Sequence, residues 1–132
     1  MDLIADTTFL VGLWRSQPWA VAYAGQNSTK SIAIPWVVLG EFWHGATRAG
    51  HDAEQVSKFL GIGIPLTDAS LVIPIYSRIC AQLQISGEYR NIGQNDLWIA
   101  AIAMSQNKPL VTRNQRHFKM IEGLKIEVLD AV

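Results

Sequence analysis

Short apolar runs alternate along this chain with longer segments in which apolar residues recur at helical spacing. The short runs predict buried strands, at residues 3–5, 31–34, 62–66, 109–112 and 124–129. The longer segments predict helices, at residues 7–14, 18–25, 35–48, 52–60, 67–85, 96–106 and 117–121. This alternation predicts one α/β domain over residues 1–132, with helices flanking a central, mostly parallel sheet of about five strands.

Capping and breaking residues define the predicted helix ends. Asp52 is a suitable N-cap and Gly61 a suitable terminator for the helix between them. Pro74 falls inside the predicted helix at 67–85, where it indicates a kink or a break. Residues 86–95 are polar and contain two glycines, so they are predicted to form a loop before the helix at Asp96.

The charge of the chain limits the kinds of nucleic-acid contact to expect. Eleven basic and eleven acidic residues cancel, so binding to phosphate backbones over the whole surface is not expected. Arg113, Arg116, His117 and Lys119 nevertheless lie within seven residues without an intervening acid. Any contact with a nucleic acid is therefore predicted to be local.

Three features predict a cytoplasmic protein without a membrane segment. The apolar runs are interrupted too often for a transmembrane helix, which needs roughly 20 residues. Asp2 stands where a signal peptide would carry positive charge. The single cysteine, Cys80, cannot form an internal disulfide, which fits a reducing compartment.

The candidate chemistry lies in three acidic residues, Asp6, Glu41 and Asp96, each set in an apolar stretch. No Lys or Arg stands within five residues of Asp6 or of Glu41, so neither carboxylate has a cationic partner near in sequence. Carboxylates that lose hydration without such a partner are commonly compensated by a hard divalent cation. Oxygen ligands favour Mg²⁺ or Mn²⁺ over zinc, and the three histidines lack zinc-binding spacing.

The predicted topology brings these acids toward one crevice. Ligands of open parallel sheets bind beyond the carboxyl ends of the strands. Asp6 ends the first strand, Asp96 begins a helix, and Asn114 closely follows the strand at 110–112. Glu41 lies about two turns into its helix and could face the same crevice. Four oxygen donors from four elements are therefore expected around one site.

Simpler roles remain open for each donor. Asp6 and Asp96 are both natural helix N-caps, which does not exclude metal binding. Glu41 could pair with His44, one turn further along its helix. An isolated Asn114 is most often a turn residue.

Four segments spread over essentially the whole chain form a recognisable series of motifs, and they are Ile4-Ala5-Asp6-Thr7-Thr8, Leu39-Gly40-Glu41, Asn95-Asp96-Leu97-Trp98-Ile99-Ala100-Ala101 and Leu110-Val111-Thr112-Arg113-Asn114-Gln115-Arg116-His117-Phe118. In order and spacing they resemble the successive motifs of PIN-domain ribonucleases, and in particular the VapC-like toxins of bacterial toxin–antitoxin pairs. The resemblance implies a three-layer PIN-like fold and a Mg²⁺- or Mn²⁺-dependent endoribonuclease. It also implies a homodimer and an antitoxin whose tail fills the acidic site.

The resemblance also assigns residues. The family's metal-binding acids fall at Asp6, Glu41 and Asp96, with Glu41 binding directly or through water. The fourth acidic position is Asn114, an amide in this chain, which favours one tightly held metal. Such a cation acidifies water and stabilises charge on the scissile phosphate.

Four further residues are candidates for substrate binding. Thr7 and Thr112 are expected to orient water or ligands, as neighbouring hydroxyls do in the family. Arg113 and Arg116 are expected to steady the RNA backbone, with ordinary solvated charge as the alternative reading.

Five tryptophans are many for a chain of this length. Trp36 and Trp43 are seven residues apart and share a helical face. Core packing is the favoured interpretation, ahead of a dimer or antitoxin surface and of stacking on RNA bases.

Three functions are compatible with these patterns. The leading hypothesis is a metal-dependent endoribonuclease acting as a toxin on RNA. The alternative is a catalytically weak or inactive module that binds a partner peptide or RNA through its acidic pocket, which the amide at Asn114 keeps open. A phosphotransfer or phosphatase domain ranks last, because Asp6-Thr7-Thr8 lacks the second acid that common aspartate phosphatases carry two residues on.

Overall fold

Five strands form a single parallel sheet in the computed structural model, which describes residues 1–129. The last three residues of the predicted domain, 130–132, lie outside the described residues. The strands are β1 (Leu3–Ala5), β2 (Ile32–Pro35), β3 (Ile64–Leu66), β4 (Leu110–Thr112) and β5 (Ile126–Val128). Each prediction of a strand is confirmed, although β3 and β5 are shorter than their apolar runs.

The sheet has the strand order β3-β2-β1-β4-β5, and all four pairings are parallel. The chain therefore moves outward in one direction from β1 through β2 to β3, and in the other direction through β4 to β5. Strand order reverses at β1 and β4, and a crevice opens beyond their carboxyl ends. Ala5 pairs with Val111 there, so the residues after β1 and β4 emerge side by side.

Seven helices flank the sheet within the described residues, which confirms the predicted α/β architecture. They are α1 (Thr7–Trp14), α2 (Pro18–Gln26), α3 (Trp36–Arg48), α4 (Ala53–Leu60), α5 (Val72–Ser86), α6 (Gln94–Gln106) and α7 (Gln115–Phe118). Helix α1 contacts α2 and α3, while α5 packs along α6. No helix among residues 1–129 is both long and apolar enough to cross a bilayer.

Helix α6 crosses the centre of the domain and is buried over most of its circumference. Leu97 and the whole segment 99–103 are no more than 1 % exposed. A helix that is apolar all round is a core helix, which explains the long apolar run after Asp96. Burial of α6 holds its first turn rigidly against the sheet.

One helix, α5, starts later than predicted. Helix α5 begins at Val72 rather than at Thr67, because the Asp68 carboxylate accepts the Ser70 N–H and holds a local turn instead. Pro74 consequently lies in the first turn of α5, where its missing N–H disrupts nothing, and no break occurs.

The helices around Asp96 and Asn114, in contrast, start earlier than predicted. Helix α6 begins at Gln94 with Gly93 as its N-cap, so Asp96 is its third residue and not its cap. Helix α7 begins at Gln115, two residues before the predicted turn. The predicted loop at 86–95 contains a 3₁₀ turn over Tyr89–Asn91.

Trp36 is half-buried and packs against the core, which agrees in part with the favoured interpretation of the tryptophans. Its ring centroid lies 6.4 Å from that of Trp98, which in turn stacks on Tyr76 at 3.6 Å. Trp43 is half-buried and packs against the same core.

Candidate active site

Asp6 occupies the end of β1, at the point where strand order reverses. Its side chain is buried and acts as the N-cap of α1, with Oδ1 accepting the Thr7 N–H at 2.8 Å. Oδ2 accepts two hydroxyls, from Thr112 at 2.6 Å and from Thr8 at 3.1 Å. Asp6 therefore caps a helix and also lies at the predicted crevice.

Glu41 reaches the same place from the second turn of α3. Its Oε1 accepts the hydroxyl of Thr7 at 2.6 Å, and its Oε2 accepts the side-chain amide of Asn95 at 3.2 Å. Thr7 thus links two carboxylates, because its N–H binds Asp6 and its hydroxyl binds Glu41. The alternative pairing with His44 is wrong, since these partners hold both carboxylate oxygens.

Asp96 approaches from the first turn of α6. Its Oδ2 lies 2.9 Å from Nδ1 of His117 on α7, and its side chain is 21 % exposed. This is the one ion pair within 4.0 Å among residues 1–129. No Lys or Arg in the described residues therefore neutralises the three carboxylates.

Asn114 lies beside this group at the start of α7. Its N–H donates to the hydroxyl of Thr112 at 2.9 Å, and its carbonyl accepts the His117 N–H at 2.9 Å. The Thr112 hydroxyl, which is completely buried, therefore joins Asn114 to Asp6. Asn114 is a turn residue and also a neighbour of the site.

Burial and mutual repulsion shape the electrostatics of the carboxylates. Desolvation raises the pKa of Asp6, and hydrogen bonds from Thr112, Thr7 and Thr8 oppose that rise. Desolvation also raises the pKa of Asp96, the charges of Asp6 and Glu41 add to the rise, and His117 opposes it. The negative charge of neighbouring carboxylates therefore contributes to the raised pKa of Asp6 and of Asp96.

The chemistry of these residues fits a hard divalent cation, although their side chains do not form a complete set of metal ligands. The donors are oxygens, and their negative charge is uncompensated apart from His117. No three His, Cys, Asp or Glu side chains within residues 1–129 are arranged so that they could hold a metal ion directly.

The two predicted arginines differ in their surroundings. The backbone N–H of Arg113 donates to the Thr8 hydroxyl at 3.1 Å, and Arg113 lines a cavity beside the carboxylates. Arg116 is exposed on α7 and does not line that cavity.

The sequence patterns missed three residues of the site, Thr8, Asn95 and His117. Thr8 holds Asp6, Asn95 holds Glu41, and His117 holds Asp96. Their positions in the first, third and fourth motifs were the only signal, because the roles of these side chains become visible only in the folded domain.

The raised pKa values predict how stability responds to pH. The folded protein binds more protons than the unfolded chain between the ordinary pKa of 3.8 and the raised values of Asp6 and Asp96. The contribution of these two acids to the free energy of unfolding should therefore rise as pH falls from neutrality through their folded pKa values. This rise should be complete below 3.8. The measurement is urea denaturation without divalent metal, comparing wild type with the Asp6→Asn/Asp96→Asn double variant. A difference between the two proteins that does not change with pH would contradict the expectation.

Comparison with known proteins shows the family of this fold. The PIN domain family matches residues 3–124. Ribonuclease VapC2 of Rickettsia felis is 34% identical over 109 residues, covering 80% of this chain and 78% of that protein. Ribonuclease VapC1 of Methanocaldococcus jannaschii is 32% identical over 100 residues, covering 74% and 70%.

A solved structure extends the likeness to nearly the whole chain. The crystal structure of VapBC2 from Rickettsia felis bound to a DNA fragment from their promoter superposes with a TM-score of 0.83 and 26% identity, covering 98% of this chain and 100% of that one. The parallel five-stranded sheet flanked by helices agrees with the fold that the four motifs implied. The chain therefore belongs to the PIN-domain family, among its VapC-like ribonucleases.

Proposed function

We propose that this chain is an endoribonuclease that hydrolyses RNA phosphodiester bonds with Mg²⁺ or Mn²⁺ and acts as the toxin of a toxin–antitoxin pair. One observation carries the proposal: three carboxylates from β1, α3 and α6 meet at the reversal of strand order, without a Lys or Arg partner among the described residues. The family of the chain and the names of its relatives support the nuclease assignment.

Asp6 and Asp96 are the proposed direct ligands of the cation, with Glu41 contacting it through water and Asn114 contributing weakly. When bound, the cation stabilises charge on the scissile phosphate and makes water a better nucleophile. Thr8 and Thr112 hold Asp6 in one orientation, and Thr7 and Asn95 hold Glu41.

The remaining residues orient the ligands and the substrate. His117 engages Oδ2 of Asp96, which restricts how that carboxylate can turn. Glu41 positions the attacking water and can accept its proton. Arg113 and Arg116 contact the RNA backbone, where Arg113 lies nearer to the carboxylates.

The proposed partners are a cognate antitoxin and a second copy of this chain. The likeness to the structure of VapBC2 from Rickettsia felis bound to a DNA fragment from their promoter supports a protein partner, and we propose that its tail fills the acidic site. A basic tail would compensate the three carboxylates in the absence of metal. We also propose a cytoplasmic location, where such a toxin would meet its RNA.

Metal removal tests the proposal directly. Purified protein should cleave RNA with Mg²⁺ or Mn²⁺, lose cleavage in EDTA and regain it with excess metal. Metal at about 100 times its Kd should also stabilise the fold by about 2.7 kcal/mol, seen as a rise in Tm. The rise should vanish in Asp6→Asn and persist in Asp68→Asn, where the same change removes an exposed carboxylate far from the site in sequence.

A binding module without catalysis is the second candidate function. The amide at Asn114 and the absence of a preassembled metal group in residues 1–129 favour it. This candidate predicts no cleavage with any divalent metal and no metal-dependent rise in Tm. Cleavage that persists unchanged in EDTA would contradict both candidates.

A further inference from the structure

A cavity of about 630 Å³ opens directly beside the carboxylates. On the side of the acidic site it is lined by Thr7, Thr8 and Asn114, which contact or neighbour Asp6 and Glu41. Its volume falls within the range of about 300–1,000 Å³ that is usual for small-molecule sites. A substrate that reaches the carboxylates can therefore extend into this cavity.

The lining of the cavity also carries positive charge. Arg15 and Arg113 both line it, and no acidic residue is part of its lining. The cavity therefore attracts anions, whereas the neighbouring carboxylates attract cations. An RNA strand meets both needs, because its phosphates can bind arginine on one side and the metal site on the other.

Trp19 gives the cavity an aromatic wall. The guanidinium carbon of Arg113 lies 4.2 Å from the centroid of the Trp19 ring, in a cation–π contact. The indole ring packs directly against Gly12, because a Cβ at position 12 would come within 2.3 Å of it. Pro18 opens α2 just before Trp19 and so stiffens the backbone that carries the ring. The result is a layered aromatic and guanidinium surface, of the kind on which unpaired bases stack.

We propose that this cavity, the Trp19–Arg113 pocket (Gly12, Arg15, Gln17, Trp19 and Arg113), holds one unpaired nucleotide of the RNA next to the scissile phosphate. Arg15 binds the phosphate of that nucleotide, and the base packs against the Trp19–Arg113 pair. Gln17 makes no capping hydrogen bond at the start of α2, so its amide is available to read the base edge. The inference rests on the proposed function, and it predicts that the nucleotide in the pocket is unpaired, because its base must be free to pack against Trp19 and Arg113.

Binding of a fluorescein-labelled, random-sequence single-stranded RNA octamer tests this pocket. The measurement is fluorescence anisotropy with Mg²⁺ in an Asp96→Asn background, where the RNA stays intact. Trp19→Ala should weaken affinity by about tenfold or more, the loss typical of one stacked base. Arg15→Gln should reduce the slope of log affinity against log salt by about 0.7, as expected for one phosphate contact with a single strand. Gly12→Ala should weaken binding as well, by displacing the indole.

Two control variants separate the pocket from general effects. Trp43→Ala removes another half-buried tryptophan, and Arg78→Gln removes another exposed arginine, both outside the pocket lining. Neither should change affinity or the salt slope. A duplex of the same length should bind weakly and be insensitive to Trp19→Ala.

The outcomes distinguish this inference from the proposed function. If wild type cleaves RNA but the three pocket variants bind the octamer like their controls, the pocket proposal is overturned alone. If the variants instead weaken binding of a basic antitoxin peptide while RNA binding is unchanged, the pocket belongs to the partner and the proposal is overturned too. Weakened RNA binding in a protein that cleaves no RNA would support the pocket and contradict the nuclease.

Discussion

Replacing Asp96 or Asp6 by Asn should lower the rate of RNA cleavage by about 10²–10³-fold, the scale on which losing a key electrostatic group acts. Each substitution keeps the size of the side chain and removes a charge on which the proposed cation depends. Glu41→Gln should have a smaller effect, because Glu41 is proposed to act through water. The measurement is single-turnover cleavage of labelled RNA at saturating Mg²⁺ or Mn²⁺.

The folded state should tolerate these changes. Burial and mutual repulsion raise the pKa of both acids, so neutral amides relieve an unfavourable charge. Tm without metal should therefore stay the same or rise, which separates lost chemistry from lost structure. Cleavage that survives both single substitutions would remove the acidic site from the mechanism.

Replacing Phe118 by Ala should destabilise the protein by about 3–5 kcal/mol. The ring is completely buried, and it anchors α7, which also carries His117 and follows Asn114. Its loss would leave a cavity under the segment that holds Asp96. We expect a fall in Tm of about 10–20 °C.

Activity gives the second measurement for this substitution. RNA cleavage at a temperature where the Phe118→Ala protein is still folded should fall, because His117 no longer holds Asp96 firmly. Ile85→Ala is the control, since that side chain is 89 % exposed and its loss should change the free energy of unfolding by no more than about 0.5 kcal/mol. Equal stability of the two variants would show that α7 is not anchored through Phe118.

Most of the fold could be predicted from local sequence patterns. Where the structure differs from those predictions, the causes are local. Apolar runs and helical periodicity predict all five strands and seven helices, because burial of apolar surface dominates the choice of structure. The late start of α5 arises from an Asp68 turn that competes with the helix. The early start of α6 makes Gly93 the cap and places Asp96 inside the first turn.

The members of the site were partly predictable, and their bonding was not. Asp6, Glu41 and Asp96 stand out in sequence because each is a charge in an apolar stretch. The hydroxyl that holds Asp6 comes from Thr112, 106 residues away, and the amide that holds Glu41 comes from Asn95, 54 residues away. No pattern within a single segment reports such pairs.

The sequence alone thus establishes an α/β domain of the PIN family and identifies three acidic residues whose negative charge needs compensation. The α/β pattern and the three acids depend on local periodicity and on residue type, which are visible in any short window, whereas the family is shown by the resemblance of four motifs along the chain. The pairing of His117 with Asp96, the sharing of Thr7 between two carboxylates and the pocket of Trp19 and Arg113 arise only in the folded domain, where different helices and strand ends come into contact. They depend on distances between remote segments, and the parallel pairing of the strands sets those distances.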